Sequence, residues 1–336
     1  MQTRTFGNCA ARAADDDAGS AALEPILLRE SDMTTTPQFG WCGPLQNASL
    51  MKEAGLDYIE AQLVPMKLED DASFADAKAR VADLPLPASA FSYLFPHDAR
   101  IVGPEKDERR NRAYFDCVVE LLTIARASVV VLGSGWTRNI PEGWTQVQAE
   151  DEFLSALEWC ADALRGSGTT LAIEPLNRKE SNLVNSVGDG ARLARKLNRP
   201  EVRGLADFYH MDEENEPLDE LREHCAWLAH IHLADTGRLN PGTGSYDYPC
   251  FFGHLKACGY QGLLSAECGF KGEPLESMRE SVNFMRQRGT PHNKVTAVPT
   301  FTLAMPIIRA PSKTYSGAKC PTESPRNTPN TKRKVR

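Results

Sequence analysis

The chain lacks several things that would place it in a special class. Its nine cysteines include no CxxC pair and are odd in number, so a disulfide framework is not expected. No apolar run approaches the ~18–20 residues that cross a bilayer. The longest, 127–133 (ASVVVLG) and 301–308, are strand-sized or interrupted by Pro306, so no membrane partner is expected. The first 30 residues have no apolar leader core, and Asp15, Asp16 and Asp17 oppose a transit peptide. A cytoplasmic location is the expectation. Basic residues are scarce where they would grip a phosphate backbone. Residues 290–336 hold nine of them against the single acid Glu323, and residues 1–37 carry three against six acids. The whole chain is −7, so the stretch between is near −12. A body this acidic is a poor nucleic-acid partner. It suits a site where carboxylates gather around a cation.

What is present reads as an ordinary globular domain, 41% hydrophobic and 25% charged. Residues 1–37 show neither helix nor strand period and are expected to form a non-globular extension. The tail, 290–336, has seven prolines and a basic end, TKRKVR. It is expected to be disordered. Between them the hydrophobic period alternates between two and 3.6. Strand-like runs fall at 38–43, 56–63, 88–94, 128–133, 169–176, 202–209, 228–234 and 262–268. Helix-like stretches follow each, near 47–54, 72–83, 106–126, 149–165, 187–198, 216–226, 249–258 and 274–287. Eight β-then-α units over 38–289 predict a single α/β domain, a (β/α)8 TIM barrel. The alternative is a doubly wound open sheet. That fold usually opens on a Gly-rich phosphate turn, and Gly43-Pro44-Leu45 is not one.

In a barrel, chemistry sits at the C-terminal strand ends. The fifth strand ends on Glu174, directly before Pro175. The sixth carries Asp207 near its end, the seventh His232, and the eighth Glu267. Four successive strands thus aim three carboxylates and one imidazole at one mouth. Three packed carboxylates repel unless a cation joins them or their pKa values rise. The donor set suits Mn²⁺, Mg²⁺ or Co²⁺ and accepts Zn²⁺. His230 lies a layer deeper and reads as a hydrogen-bonded core histidine. Glu60, alternating with apolar neighbours in LDYIEAQL, either lines the mouth or faces solvent. His97 follows the third strand and is within possible reach of the site. His224 and His254 read as surface positions, and Cys117 and Cys160 as core thiols. The stretch GRLNPGTG (237–244) reads as a loop shaped by glycine turns, with a phosphate cradle as the weaker alternative.

The motifs IEPLNRKE (173–180), LADFYHM (205–211), HIHLADTGR (230–238), PGTGSYDY (241–248) and SAEC (265–268) resemble the xylose-isomerase-like TIM-barrel superfamily. Within it they are similar to the ketose 3-epimerases and to hydroxypyruvate isomerase. The resemblance implies metal ligands at Glu174, Asp207, His232 and Glu267, the four already picked out by strand geometry. It implies substrate contacts at Glu180, His210 and Arg238, and Glu174 with Glu267 as the acid/base pair. The implied activity is a divalent-metal-dependent sugar isomerase or epimerase of ketose 3-epimerase type, working by proton transfer next to a carbonyl. The alternatives are a hydroxypyruvate-isomerase-like aldose–ketose isomerase and a non-catalytic sugar-binding barrel. A small sugar or hydroxy-keto acid is the expected partner, and homo-oligomers are common among such relatives. Asp-Phe-Tyr-His stands where the ketose epimerases have Asp-Thr-Phe-His, and Cys268-Gly269 where they place an aromatic residue. PGTGSYDYPCFF looks more like hydroxypyruvate isomerase, which tends to have Gln at the position of His232. AP endonucleases of this fold carry an Asp-x-His after the seventh strand, and TGRLNPGTG has none.

Overall fold

The computed structural model of the chain describes residues 37–289. The tail 290–336 and all but the last residue of the 1–37 extension lie outside the described residues. Eight parallel strands pair in chain order and close on themselves. They are β1 (Phe39–Gly43), β2 (Tyr58–Gln62), β3 (Ala90–Ser92), β4 (Val129–Leu132), β5 (Thr170–Ile173), β6 (Val202–Asp207), β7 (Leu228–Leu233) and β8 (Leu263–Ala266). The closing pair sets Phe39 opposite Leu264 and Trp41 opposite Ala266. This is the predicted (β/α)8 barrel. An open sheet would leave two unpaired edges, and this sheet leaves none.

The helices are α1 (Ala48–Ala54), α2 (Asp71–Ala82), α3 (Glu108–Ala125), α4 (Gly135–Arg138), α5 (Gln146–Leu164), α6 (Val187–Leu197), α7 (Phe208–Glu213), α8 (Glu220–His224), α9 (Tyr248–Ala257) and α10 (Pro274–Gly289). Local chemistry sets many of their starts. Thr145 and Gln148 form a reciprocal capping box on α5. The side chains of Asp70, Ser186 and Asp247 accept from backbone N–H groups in the first turns of α2, α6 and α9. The expected helix at 216–226 contracts to α8 and a 3₁₀ turn at Cys225–Trp227. Two short helices, α4 and α7, were not expected. Both follow C-terminal strand ends, at the barrel mouth.

The two-residue period of the strands divides the apolar residues into two sets. Outward residues such as Trp41, Phe91 and Ile231 pack with Phe115, Phe153 and Leu157 from the helices. Inward residues Tyr58, Ala90, Val129, Val131, Ala172 and Leu205 fill the lower barrel. There Tyr58 Oη and Ser265 Oγ share a buried hydrogen bond of 2.8 Å. A Cβ at Gly40 would overlap the Tyr58 ring, so only glycine fits beneath it. No helix among the described residues is long and apolar enough to cross a membrane.

The cysteines depart from expectation at one place. Cys225, before β7, and Cys258, after α9, form a disulfide with Cα atoms 6.2 Å apart. Their 33-residue separation carries no local signal; the pairing of β7 with β8 brings them together. Cys42, Cys117, Cys160, Cys250 and Cys268 are free. Cys160 is a core thiol as expected, whereas Cys117 is only half-buried. His224 and His254 are also half-buried rather than fully exposed.

Glu216, between α7 and α8, accepts a 2.8 Å hydrogen bond from the Val187 N–H at the start of α6. Burial, followed by the charges of Glu220 and Asp189, pushes its carboxyl up to about 7 despite that bond. A carboxyl raised in the fold favours folding below its unfolded value of ~4.3, and this contribution fades as pH rises toward 7. Glu216→Gln should therefore gain stability relative to the parent at pH 8 but not at pH 4.5. Thermal melts at the two pH values check this, and an equal difference at both counts against it.

Candidate active site

The ladder continues one residue beyond β5 and β8. Glu174 N–H donates to Leu132 O at 3.2 Å, and Glu267 N–H to Leu233 O at 3.0 Å. Both glutamates thus stand on rigid strand ends and inherit the inward side of the alternation. Asp207 ends β6 and also caps α7. Its Oδ1 accepts from His210 N–H at 3.1 Å, which leaves Oδ2 to face the barrel axis. His232 lies opposite Asp207 in the β6–β7 register.

These four side chains meet at one point. Nδ1 of His232 is 3.0 Å from Glu174 Oε1 and 3.5 Å from both Asp207 Oδ2 and Glu267 Oε2. One ligand atom from each of the four residues lies within 4.8 Å of the others. All are buried, with Glu267 the most open at 11% side-chain exposure. The carboxylates respond differently to this crowding. Burial and then Glu267 push the Glu174 carboxyl up, against the pull of His232. Burial also pushes Glu267 up, but the hydrogen bond and charge of His232, and then Arg238, outweigh it and hold Glu267 low. Asp207 is likewise held low, because His210 and His232 together outweigh its burial. Three carboxylate oxygens facing one ring nitrogen, in a buried pocket, fit a divalent cation of the oxygen-preferring or borderline kind.

Of the three expected substrate-contact residues, Glu180 and Arg238 line the open edge of this cluster, whereas His210 is buried beside Asp207 and Asn177. Arg238 Nη2 donates to Glu267 Oε2 at 2.8 Å and Nη1 to Glu180 Oε1 at 3.3 Å. Asn177 Nδ2 donates to the same Glu180 oxygen at 3.0 Å. His210 Nδ1 accepts from Asn177 N–H at 3.1 Å, which places its proton on Nε2. That Nε2 is buried and has no partner among the described residues. A cavity of about 310 Å³ opens beside the cluster, lined by Glu174, Glu180, Arg238 and Glu267. Tyr93 and Trp136 line its other side, and both are about half exposed, at 48% and 54%. His97 stacks on Trp136 with ring centres 4.7 Å apart, so it does reach the site wall.

The profile of the xylose isomerase-like TIM barrel family matches residues 48–288. The chain belongs to that family. A 3-dehydro-D-guloside 4-epimerase of Escherichia coli is 34% identical over 257 residues, covering 72% of this chain and 94% of the relative. An L-ribulose 3-epimerase of Mesorhizobium japonicum is 27% identical over 226 residues, covering 64% and 72%. Among solved structures, a D-psicose 3-epimerase from Clostridium cellulolyticum with D-tagatose superposes with a TM-score of 0.66 at 17% identity. That match covers 75% of this chain and 99% of the other, and the likeness is one of fold. The matched relatives are named epimerases and isomerases, and this family member is an isomerase.

Several residues of the site were not legible in its sequence. Glu60 neither faces solvent nor lines the mouth. It is fully buried beneath His232, 2.9 Å from its Nε2 and 2.8 Å from Nε2 of His230. His230 is thus the hydrogen-bonded core histidine expected. The alternation around Glu60 signalled an inward residue, and only barrel closure supplied its partners. Arg138 of α4 gave no signal. It is fully buried, with Nη1 donating to Leu132 O at 3.2 Å and Nη2 to Glu174 O at 2.5 Å. Its guanidinium thereby ties the ends of β4 and β5 behind Glu174. The 237–244 loop is organised by Asp235. Oδ1 accepts from Thr236 N–H at 2.8 Å and Tyr246 N–H at 3.2 Å, and Oδ2 from Gly242 N–H at 2.9 Å. Within the loop, the N–H groups of Gly242, Leu239 and Thr243 are spent on Asp235 Oδ2, Asp235 O and Asn240 O, which supports the glycine-turn reading over a phosphate cradle.

Gly133 shapes the same wall, because a Cβ there would overlap Glu174 Oε2. Gly133→Ala should displace the Glu174 carboxylate while the fold persists. The expected result is at least a tenfold loss of divalent-metal affinity with an unchanged far-UV spectrum. Unchanged Mn²⁺ titration of the variant would contradict this placement.

Proposed function

We propose that this isomerase is a divalent-metal-dependent sugar epimerase that inverts the carbon next to a ketone, most closely of ketose 3-epimerase type. The observation that carries the reading is the pairing of Glu174 and Glu267. They come from strands three apart around the ring, border one cavity, and belong to one buried cluster. Inversion needs a base on one face of the carbon and an acid on the other, whereas a 1,2-isomerase can work with a single group. Glu174 and Glu267 take those two roles. Each serves in turn as base and acid, depending on the direction of reaction.

Glu174, Asp207, His232 and Glu267 would hold the cation, which would act as a Lewis acid on the ketone and its neighbouring hydroxyl. One glutamate removes the carbon-bound proton, and the substrate becomes an enediolate. The other glutamate returns a proton to the opposite face. His210, with its proton on Nε2, donates to a substrate oxygen. Arg238 holds Glu267 in place and offers its remaining N–H groups to the developing negative charge. Glu180 accepts from a substrate hydroxyl. Tyr93 and Trp136 give the apolar face of the sugar a wall to pack against, and the closed barrel floor excludes water.

The charges around the cavity favour a neutral sugar. Among its described lining residues the single guanidinium or ammonium is Arg238, already engaged by Glu267 and Glu180. A phosphate or carboxylate would meet Glu174, Glu180 and Glu267 with only Arg238, already shared with two of them, to offset the charge. This weighs against the hydroxypyruvate-type alternative. A second reading, inversion at C4 of a 3-keto-glycoside, is supported by the 34% identity to the 3-dehydro-D-guloside 4-epimerase. Both readings use the same chemistry at a carbon beside a ketone.

The test is a substrate panel in D₂O with Mn²⁺, comprising free C4–C6 ketoses, 3-keto-glycosides and hydroxypyruvate, followed by NMR. Deuterium should appear at an inverted carbon beside the ketone. Glu174→Gln and Glu267→Gln should each lower the rate by ~10²-fold or more. Deuterium on an adjacent carbon with carbonyl migration would instead identify an aldose–ketose isomerase. Full activity in either variant rules out the two-glutamate mechanism, and activity that survives EDTA rules out the metal.

A further inference from the structure

We infer that Glu60 is a positioning residue that holds the His232 ring from below, keeping a proton on Nε2 so that Nδ1 is the atom presented to a cation among the carboxylates. The inference rests on the reading of Glu174, Asp207, His232 and Glu267 as a cation site. Glu60 stands on β2, across the barrel from β7. Its Oε1 is 2.9 Å from Nε2 of His232 and its Oε2 is 2.8 Å from Nε2 of His230. All three side chains are fully buried. Each carboxylate oxygen thus serves one imidazole.

An ionised carboxylate only accepts hydrogen bonds, so both rings donate to it through Nε2. His230 provides an independent check. Its Nδ1 is buried without a partner, so a proton there would be an unpaired buried donor. The proton therefore belongs on Nε2, facing Glu60. The same arrangement on His232 occupies Nε2 and makes Nδ1 the ring atom offered at the point where three carboxylates converge. A carboxylate behind a ligating imidazole fixes ring orientation and raises its basicity. Glu60 supplies that support from below, through an atom that faces neither the cavity nor the cluster.

A glutamine at position 60 cannot reproduce it. Its amide offers one acceptor and one donor group, so one of the two rings must accept rather than donate. If that ring is His232, its proton moves to Nδ1 and occupies the ligand position. If it is His230, an unpaired Nδ1–H is left in the barrel interior. Both outcomes weaken the site while every ligand remains in place.

The experiment is Mn²⁺ titration calorimetry on the EDTA-stripped full chain, the Glu60→Gln variant, and Tyr58→Phe. Tyr58→Phe loses the buried bond to Ser265 in the same barrel interior without touching His232. Glu60→Gln should weaken Mn²⁺ binding by ~10–100-fold, whereas Tyr58→Phe should lower the melting temperature and leave Mn²⁺ affinity within about twofold. Equal Mn²⁺ affinity in Glu60→Gln and the parent overturns the inference, as does an equal loss in Tyr58→Phe. A parent chain that binds no divalent ion overturns the cation-site reading itself and this inference with it. Ring ¹⁵N NMR of the Zn²⁺-loaded parent gives a test independent of any variant. His232 should show Nε2–H with Nδ1 bound to the metal, and a proton on Nδ1 overturns the assignment.

Discussion

Nδ1 of His232 sits among three buried carboxylates, and the rest of the molecule is arranged around that concentration of negative charge. Carboxylates at this spacing are unstable neighbours in a low-dielectric interior unless positive charge or hydrogen bonds answer them. The chain provides partial answers from every side. Arg238 reaches Glu267 from the rim, His210 donates its backbone N–H to Asp207, and Arg138 approaches Glu174 from behind through its carbonyl. None of these enters the centre. The proposed divalent cation would supply there what the side chains do not.

Barrel geometry makes such a cluster possible without loops of unusual shape. Each strand end presents one inward position, and closure turns those positions toward a common axis. The layer beneath is equally specified. Glu60, His230 and His232 form a hydrogen-bonded chain across the barrel, and below them Tyr58 fills the space that Gly40 leaves open. The site thus rests on packed side chains rather than on flexible segments, and preorganisation of this kind is what proton-transfer chemistry requires. The outer wall of the cavity is built differently. Tyr93 and Trp136 come from the segments that follow β3 and β4, the regions where members of one fold diverge most readily.

The barrel itself was readable because its signal is redundant. Eight repeats of a period switch fixed the order of elements, and Pro175 marked where the fifth strand stops. The strands came out one to four residues shorter than the apolar runs suggested. Asp207 begins capping α7 where the run continues into Phe208, and Pro175 has no N–H to extend β5. The short helices α4 and α7 escaped notice because one or two turns carry too few residues to show a 3.6 period.

The fold, the inward faces of the strands and the four residues that meet at the mouth were all readable from the chain, since alternation along a strand is a local property of the backbone. The sequence could not determine which distant groups complete that set. Glu60 contacts side chains 170 and 172 positions away. Cys225 finds Cys258, and Arg138 finds the carbonyl of Glu174. Those partnerships exist only after the sheet closes, because hydrogen bonds and disulfides depend on distance in space and leave no period along the chain. Closure of the barrel is what sets an acid on the second strand beneath an imidazole on the seventh.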